Sequence, residues 1–350
     1  MAVAHELQPL FLSKVLDRMG EAALPELGRL LRSPEPLVRR RAIQRLEELG
    51  IDGVWRPLAQ TAEQDADAEI KALAKAALAR LEAATPPPLR LTTLGRFTLH
   101  IGTRQVNPGD WGSNRKAQSL FKILLSQPGK HVSREKIIDW LWPNTSFDTM
   151  ENANHTLNQA MSALRKVLEP YLPAHYPSRY IFSDNETYCL SLPPGSWIDD
   201  QALEEAIRLA KAARRQGNQA EMIRQYQLAN ALYGGDYLVE ESKLDWPLAR
   251  QDWLRGQIVG VLEVLARHAL EQNDAQAAAE LAERLLSIDA LHESGYLLLM
   301  RAQVALGQLK AALNTYQRYL EKCCQVLDIP PNAEIRQLYE WVLKQMNKPG

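Results

Sequence analysis

Residues 151–168 sort into two sets by their spacing. Ala153, Leu157, Ala160, Met161, Leu164 and Leu168 recur every three or four positions, the pattern of one buried stripe on a helix. Asn154, His155, Asn158, Gln159, Ser162, Arg165 and Lys166 fall on the face left over. No carboxylate stands between Asn152 and Lys166, whereas an ordinary solvated face mixes both signs. Amides, hydroxyls and cations without opposing charge suit a polyanion whose edges carry donors and acceptors. Asn and Gln pair at two points with adenine N6 and N7, while Arg and Lys reach guanine O6 and N7, or phosphates. Glu151 stands at the start of the run, where a carboxylate favours the helix dipole.

The surrounding segment, 89–195, contains the elements needed to present such a face. Leu89-Arg-Leu-Thr and Phe97-Thr-Leu-His-Ile alternate like strands, and a third short strand follows at 104–107. Helical runs cover 115–126, 134–142 and about 149–168. Arg179-Tyr-Ile-Phe-Ser, a turn at Asp184-Asn185 and Thr187-Tyr-Cys-Leu-Ser-Leu then form a β-hairpin. Three helices and a hairpin make a winged helix-turn-helix, in which the third helix enters the major groove and the wing touches the backbone or minor groove. The expected base readers are Asn154, His155, Asn158, Gln159 and Ser162. The expected phosphate contacts are Arg115, Lys116, Ser133 as a helix cap, Arg134, Arg165, Lys166, and Arg179 and Tyr180 on the wing. Trp111, Trp140 and Trp142 are expected in the core rather than as stacking platforms.

The flanks read as helices. Residues 1–84 carry apolar residues at helical spacing: Leu24, Leu27, Leu30 and Leu31, then Val38, Ala42, Leu46 and Leu49. The blocks 23–31 and 36–50 resemble a HEAT repeat, and a looser copy runs from 54 to 81. Arg39, Arg40 and Arg41 form a basic run, read first as a solvated face. Pro86-Pro87-Pro88 closes this segment, so residues 85–88 are an extended spacer. Beyond Pro193-Pro194-Gly195, residues 196–350 are helical with an internal repeat. Asn273-Asp-Ala-Gln-Ala-Ala realigns with Gly307-Gln-Leu-Lys-Ala-Ala at an offset of 34, the tetratricopeptide period, and Gly217-Asn218 starts an earlier copy. The expected fold class is mainly α and multidomain: HEAT-like repeats, an α+β winged helix, and a tetratricopeptide-like α-solenoid.

Charge follows the same division. Residues 1–85 hold 12 Lys/Arg against 13 Asp/Glu, residues 86–198 hold 12 against 8, and residues 199–350 hold 17 against 21. A basic module between neutral and acidic ones fits phosphate binding with protein-facing neighbours. The chain shows no GxxxxGK[ST] loop, no GxSxG, no HExxH and no paired-carboxylate signature, so no enzymatic activity and no cofactor are expected. The seven histidines are scattered, and Cys189, Cys323 and Cys324 lack zinc-binding spacing. No apolar run approaches a membrane span, and residues 1–20 lack a secretory layout, which predicts a cytoplasmic protein with no membrane partner.

Several stretches resemble the Streptomyces antibiotic regulatory protein (SARP) family, which joins a response-regulator-type winged helix to a bacterial transcriptional activator domain. In the middle segment these are Leu94-Gly95-Arg96-Phe97, Lys116-Ala117-Gln118-Ser119-Leu120, Val132-Ser133-Arg134-Glu135-Lys136-Ile137-Ile138-Asp139-Trp140-Leu141-Trp142-Pro143, and Leu164-Arg165-Lys166-Val167-Leu168. In the last segment they include Ala231-Leu232-Tyr233-Gly234-Gly235-Asp236-Tyr237-Leu238, Trp246 with Arg250, and Leu286-Ser287-Ile288-Asp289-Ala290-Leu291-His292-Glu293. Met300, Ala312-Leu313-Asn314-Thr315-Tyr316 and Leu327-Asp328-Ile329-Pro330-Pro331 complete the set. The resemblance implies an activator that binds repeated double-stranded promoter sites, self-associates on DNA and helps recruit RNA polymerase holoenzyme. A repressor with the same fold and a helical-repeat scaffold that binds no DNA are the alternatives. Two features depart from the family. The wing reads Glu186-Thr187-Tyr188 where a Gly-Tyr pair is usual, and Asn and His replace arginines on the third helix. The HEAT-like segment is additional to the family plan.

Overall fold

The structure is a computed structural model; it describes residues 20–50, 52–112, 115–145, 147, 149–173, 176–184, 186–324 and 330–347. The motif residues Leu327-Asp328-Ile329, Asn185 of the wing turn, most of the N-terminal twenty residues and the side chains of Cys323 and Cys324 lie outside the described residues. The protein is mainly α and multidomain. Its chain forms two compact units: residues up to 90 with 99–196, and residues 91–98 with those from 197 onward.

The first unit begins with helices α1 (Leu24–Leu30), α2 (Pro36–Leu49), α3 (Trp55–Gln64) and α4 (Ala68–Ala83). Proline begins α2, where a missing N–H costs nothing, and Gly50 ends it in the left-handed conformation at φ 58°. The four helices share a core in which Leu27, Ile43, Leu46, Trp55, Leu58, Ile70 and Leu78 are almost fully buried. The basic run is largely consumed by ion pairs here. Arg39 bonds Asp65 at 3.0 Å and Arg40 bonds Glu69, while Arg41 is exposed.

The proline spacer is pinned rather than free: the Pro87 carbonyl accepts from the Tyr180 hydroxyl at 2.8 Å, and the Pro88 carbonyl from the Gly102 amide at 2.9 Å. Strand β1 (Leu89–Thr92) crosses the boundary between the units. Strands β2 (Thr98–Ile101) and β3 (Arg104–Val106) pair antiparallel, with Leu99 opposite Val106. Helices α5 (Arg115–Leu125), α6 (Arg134–Leu141) and α7 (Met150–Leu168) follow. A three-stranded sheet has the order β4 (Val132–Ser133), β6 (Thr187–Leu190), β5 (Ile181–Ser183). The sequence reading contains the hairpin β5–β6 but not β4, whose two residues are too few to show a period.

The second unit opens with residues 91–98, which sequence order assigns to the winged-helix segment. The Asp199 carboxylate accepts from the Thr93 amide (2.7 Å), the Thr93 hydroxyl (2.7 Å) and the Leu94 amide (2.9 Å). Leu94 forms a β-bridge with Tyr237, and the Gly95 amide donates to the Asp236 carbonyl at 3.0 Å. Two of the motifs quoted above therefore meet, and glycine permits their approach. A Cβ on Gly234 would lie 2.8 Å from the Leu94 carbonyl oxygen, and one on Gly95 (φ 94°) would lie 3.1 Å from Gly234 backbone. Strand β7 (Trp197–Ile198) and helices α8 (Asp199–Arg215), α9 (Gln219–Leu232), α10 (Leu248–Glu271), α11 (Ala275–Ile288), α12 (Glu293–Ala305), α13 (Leu309–Tyr319) and α14 (Ala333–Met346) complete the unit. Equivalent positions of the repeat turn alike: Gly217, Asn273 and Gly307 have φ of 73°, 60° and 72°. Asn218 and Asp274, each one residue later, cap the next helix through their side chains. Among the described residues no helix is long and apolar enough to cross a membrane.

Replacing Gly234 with Ala should force backbone apart at the Leu94 contact. A stability loss of about 1–3 kcal/mol is expected in urea unfolding. An unchanged midpoint would show that the contact gives way freely.

Candidate nucleic-acid interface

Helix α7 starts at Thr149, whose hydroxyl accepts from the Asn152 amide at 3.2 Å, and ends with Arg165 and Lys166 against the negative end of the dipole. Ala153, Leu157, Ala160, Met161, Leu164, Val167 and Leu168 are buried. His155, Asn158, Gln159, Ser162 and Lys166 are exposed; Asn154 and Arg165 are half-buried. The face is therefore presented as the spacing implies, with no acidic side chain on it after Glu151.

Arg134 organises this face. Its Nε donates to Asn154 Oδ1 at 2.9 Å, Nη2 to Asn158 Oδ1 at 2.7 Å, and Nη1 to the Tyr188 hydroxyl at 2.7 Å. The guanidinium also lies 5.3 Å from the Tyr188 ring centroid, and the Tyr188 hydroxyl donates to Asn158 Oδ1 at 3.4 Å. Arg134 is thus engaged with the exposed polar face of α7, and a phosphate can call only on its remaining N–H groups. Tyr188 is a member of the site that sequence reading missed. Its place on β6, one residue from the turn, was the available signal. Gln159 and His155 bond each other at 3.0 Å, and Arg165 Nη2 donates to Ser183 Oγ on β5 at 3.3 Å.

The wing turns without glycine. Asp184 Oδ1 accepts from the amides of Glu186 (3.0 Å) and Thr187 (2.6 Å), and Oδ2 accepts from the Thr187 hydroxyl at 2.9 Å. These backbone N–H groups, then the hydroxyl and His131 at 3.7 Å, hold the Asp184 carboxyl below the usual carboxylate range. Glu186 is exposed beside it, so the wing tip carries negative charge that repels phosphate.

The remaining expected phosphate contacts divide. Arg115 is exposed at the start of α5. Lys116 is half-buried, its Nζ bonded to the Leu141 carbonyl and 5.7 Å from the Trp142 ring. Ser133 caps α6 by accepting from the Lys136 amide at 3.3 Å. The Arg134 amide is also taken, by the Glu186 carbonyl at 2.9 Å, so this helix start has fewer free N–H groups than expected. Tyr180 and Arg179 are corrections. Tyr180 is 1% exposed, with its hydroxyl on the spacer. Arg179 lies between the buried Glu169 carboxylate, 3.0 Å from its Nε, and the Trp55 ring, 5.2 Å away. Arg179 faces the helical core of residues 20–84, to which Tyr176 also turns, 5.6 Å from Trp55. Trp111 is buried as expected, while Trp140 and Trp142 are half-buried, Trp140 beneath Lys136 at 4.6 Å.

Comparison with known proteins agrees with this geometry. Residues 113–182 match the family described as transcriptional regulatory protein, C terminal, and residues 198–343 match the bacterial transcriptional activator domain. The two matches in this order define a DNA-binding transcriptional regulator. These two domains, in this order, are the ones joined in the SARP family, which the chain resembles. None of the curated proteins compared with the chain matches it. Among solved structures, Mycobacterium tuberculosis EmbR in complex with a low-affinity phosphopeptide is similar in fold, with a TM-score of 0.58 at 20% identity. The match covers 74% of this chain and 65% of that one, so the chain spans just under two thirds of that protein's length.

Two outcomes test the reassigned residues. Arg179→Ala strands a buried carboxylate and should cost about 3 kcal/mol in thermal unfolding, while the salt dependence of DNA binding stays as it was. Because the Asp184 carboxyl is depressed in the folded wing, its contribution is present above the ordinary carboxylate range and disappears as pH falls through the lowered value. Exchange of the Thr187 amide should accelerate only in that acid range, and Asp184→Ala should accelerate it at neutral pH.

Proposed function

We propose that this regulator reads double-stranded promoter DNA with the exposed face of α7 and activates transcription by helping to recruit RNA polymerase holoenzyme. The observation that carries the DNA-reading part is the carboxylate-free face of α7, held beside the β5–β6 wing by Arg134 and Arg165. Asn154, His155, Asn158, Gln159 and Ser162 contact base edges. Arg115, Lys116, Ser133, Arg134, Arg165 and Lys166 serve the phosphates, with Arg115 and Lys166 the most open to solvent. The repeated helices of residues 196–350 offer surfaces for polymerase and for a second protomer on a repeated site. On this reading the protein acts in the cytoplasm and performs no catalysis. The helices before residue 84 brace the winged helix through Trp55 and Arg179.

Titration of the full chain against its own upstream DNA, with random competitor at two salt concentrations, tests the proposal. Specific binding should weaken with salt at a slope of about −0.9 per phosphate neutralised, and the footprint should show two repeated sites. Lys166→Ala should lower affinity for all sequences alike and reduce that slope by roughly one. Equal affinity for upstream and random DNA would reject sequence reading. A footprint overlying the polymerase site, with transcription falling as protein is added, would assign repression instead.

A further inference from the structure

The contacts of Arg134 restrict what its two asparagines can offer a ligand. A guanidinium has only donors, so the atoms that Asn154 and Asn158 turn toward it are their amide oxygens. A carbonyl oxygen has two lone pairs. Asn158 Oδ1 spends one on Arg134 Nη2 at 2.7 Å and the other on the Tyr188 hydroxyl at 3.4 Å. Tyr188 is 4% exposed, and its hydroxyl in turn accepts from Arg134 Nη1, so the three side chains close a ring of bonds. Asn158 is exposed and is left with its Nδ2 amino group, a donor and nothing else, for a ligand. Asn154 is less committed, because its oxygen takes one bond, from Arg134 Nε, and keeps a lone pair.

Two-point recognition of adenine by asparagine needs the amide oxygen to accept from N6 and the amide nitrogen to donate to N7. Asn158 has no lone pair left for N6. Guanine presents O6 and N7, both acceptors, on the same edge. We propose that Arg134 and Tyr188 act as positioning residues that make Asn158 a donor-only reader, so that it selects guanine over adenine at the base pair it meets. The inference rests on the reading of α7 as the base-contacting helix. It replaces the adenine pairing that an isolated asparagine suggests.

The test is selection of binding sites from a random duplex pool by the full chain. The wild type is compared with Asn158→Ala, Arg134→Leu and Tyr188→Phe. Asn158→Ala identifies the position, as the one that becomes degenerate. The wild type should enrich guanine there. Substituting 7-deazaguanine at that position should weaken wild-type binding roughly fivefold or more and leave Asn158→Ala unaffected. Tyr188→Phe keeps the ring and frees a lone pair, so preference should move toward adenine, as it should in Arg134→Leu where melting shows that variant folded. Enrichment of adenine by the wild type would overturn the proposal while leaving DNA reading intact. So would a Tyr188→Phe variant with unchanged base preference, or a specific wild type in which Asn158→Ala relaxes no position. Failure of the wild type to enrich any sequence would reject DNA reading itself, and the donor assignment with it.

Discussion

Arg134 is the first residue of α6, yet its contacts reach the polar face of α7 at Asn154 and Asn158 and the wing at Tyr188. Its own amide bonds the wing carbonyl of Glu186. One residue therefore joins the three parts that a winged helix must hold in register. Hydrogen bonds from a charged donor contribute about 1.5–3 kcal/mol each, more than neutral pairs, and several from one planar group also fix direction. An Arg-to-Lys change here is not conservative, since an ammonium lacks the fork that spans two asparagines and a phenol. The hairpin carries no glycine at its turn, and the Asp184 side chain supplies the acceptors that close it. The wing is thus stiffened near its tip from two sides, by Asp184 within the turn and by Arg134 on Glu186 and Tyr188.

Periodicity made the helices legible because burial has a period. The stripe Ala153 to Leu168 and the repeat turns at Gly217, Asn273 and Gly307 could be read from spacing alone. What spacing cannot reveal is which long-range partner a polar side chain takes. Arg134 and Arg179 look alike in sequence, each a cation next to a short strand. One turns to the asparagines of α7, and the other to a carboxylate, Glu169, and an aromatic ring more than a hundred residues earlier. Tyr180 and Tyr188 are exchanged in the same way. The first was expected on the surface and is buried against the proline spacer; the second was unassigned and joins the site. Pro86–Pro88 read as a free spacer because proline excludes helix, but carbonyl oxygens remain acceptors, and two of them are used.

The segment after α7 packs on the N-terminal helices, with Leu172 and Tyr176 against their core. Glu169 explains why that packing is specific. Its carboxylate is buried and receives the Ser178 hydroxyl at 2.6 Å, the Arg179 amide and the Arg179 guanidinium. A buried charge that receives three donors tolerates few arrangements, so Glu169, Ser178 and Arg179 are held together. The added helical segment is consequently continuous with the structure that carries the wing.

The stitch between Asp199 and residues 93–94 has a consequence for synthesis. Residues 91–98 leave the ribosome about a hundred residues before the Asp199 carboxylate that receives them, and further still before Gly234 and Gly235. At roughly 5–20 residues per second the wait is on the order of ten seconds. During that interval the three helices and the wing, residues 115–190, which lie between the two halves of the stitch, can fold as a closed loop of chain. The N-terminal edge of the second unit gains its partners only once residues 199–240 have been made. The order of birth therefore gives the winged helix a head start over the helical repeats, and an arrest of translation within α8 or α9 would leave a chain whose winged helix is formed and whose helical repeats are not.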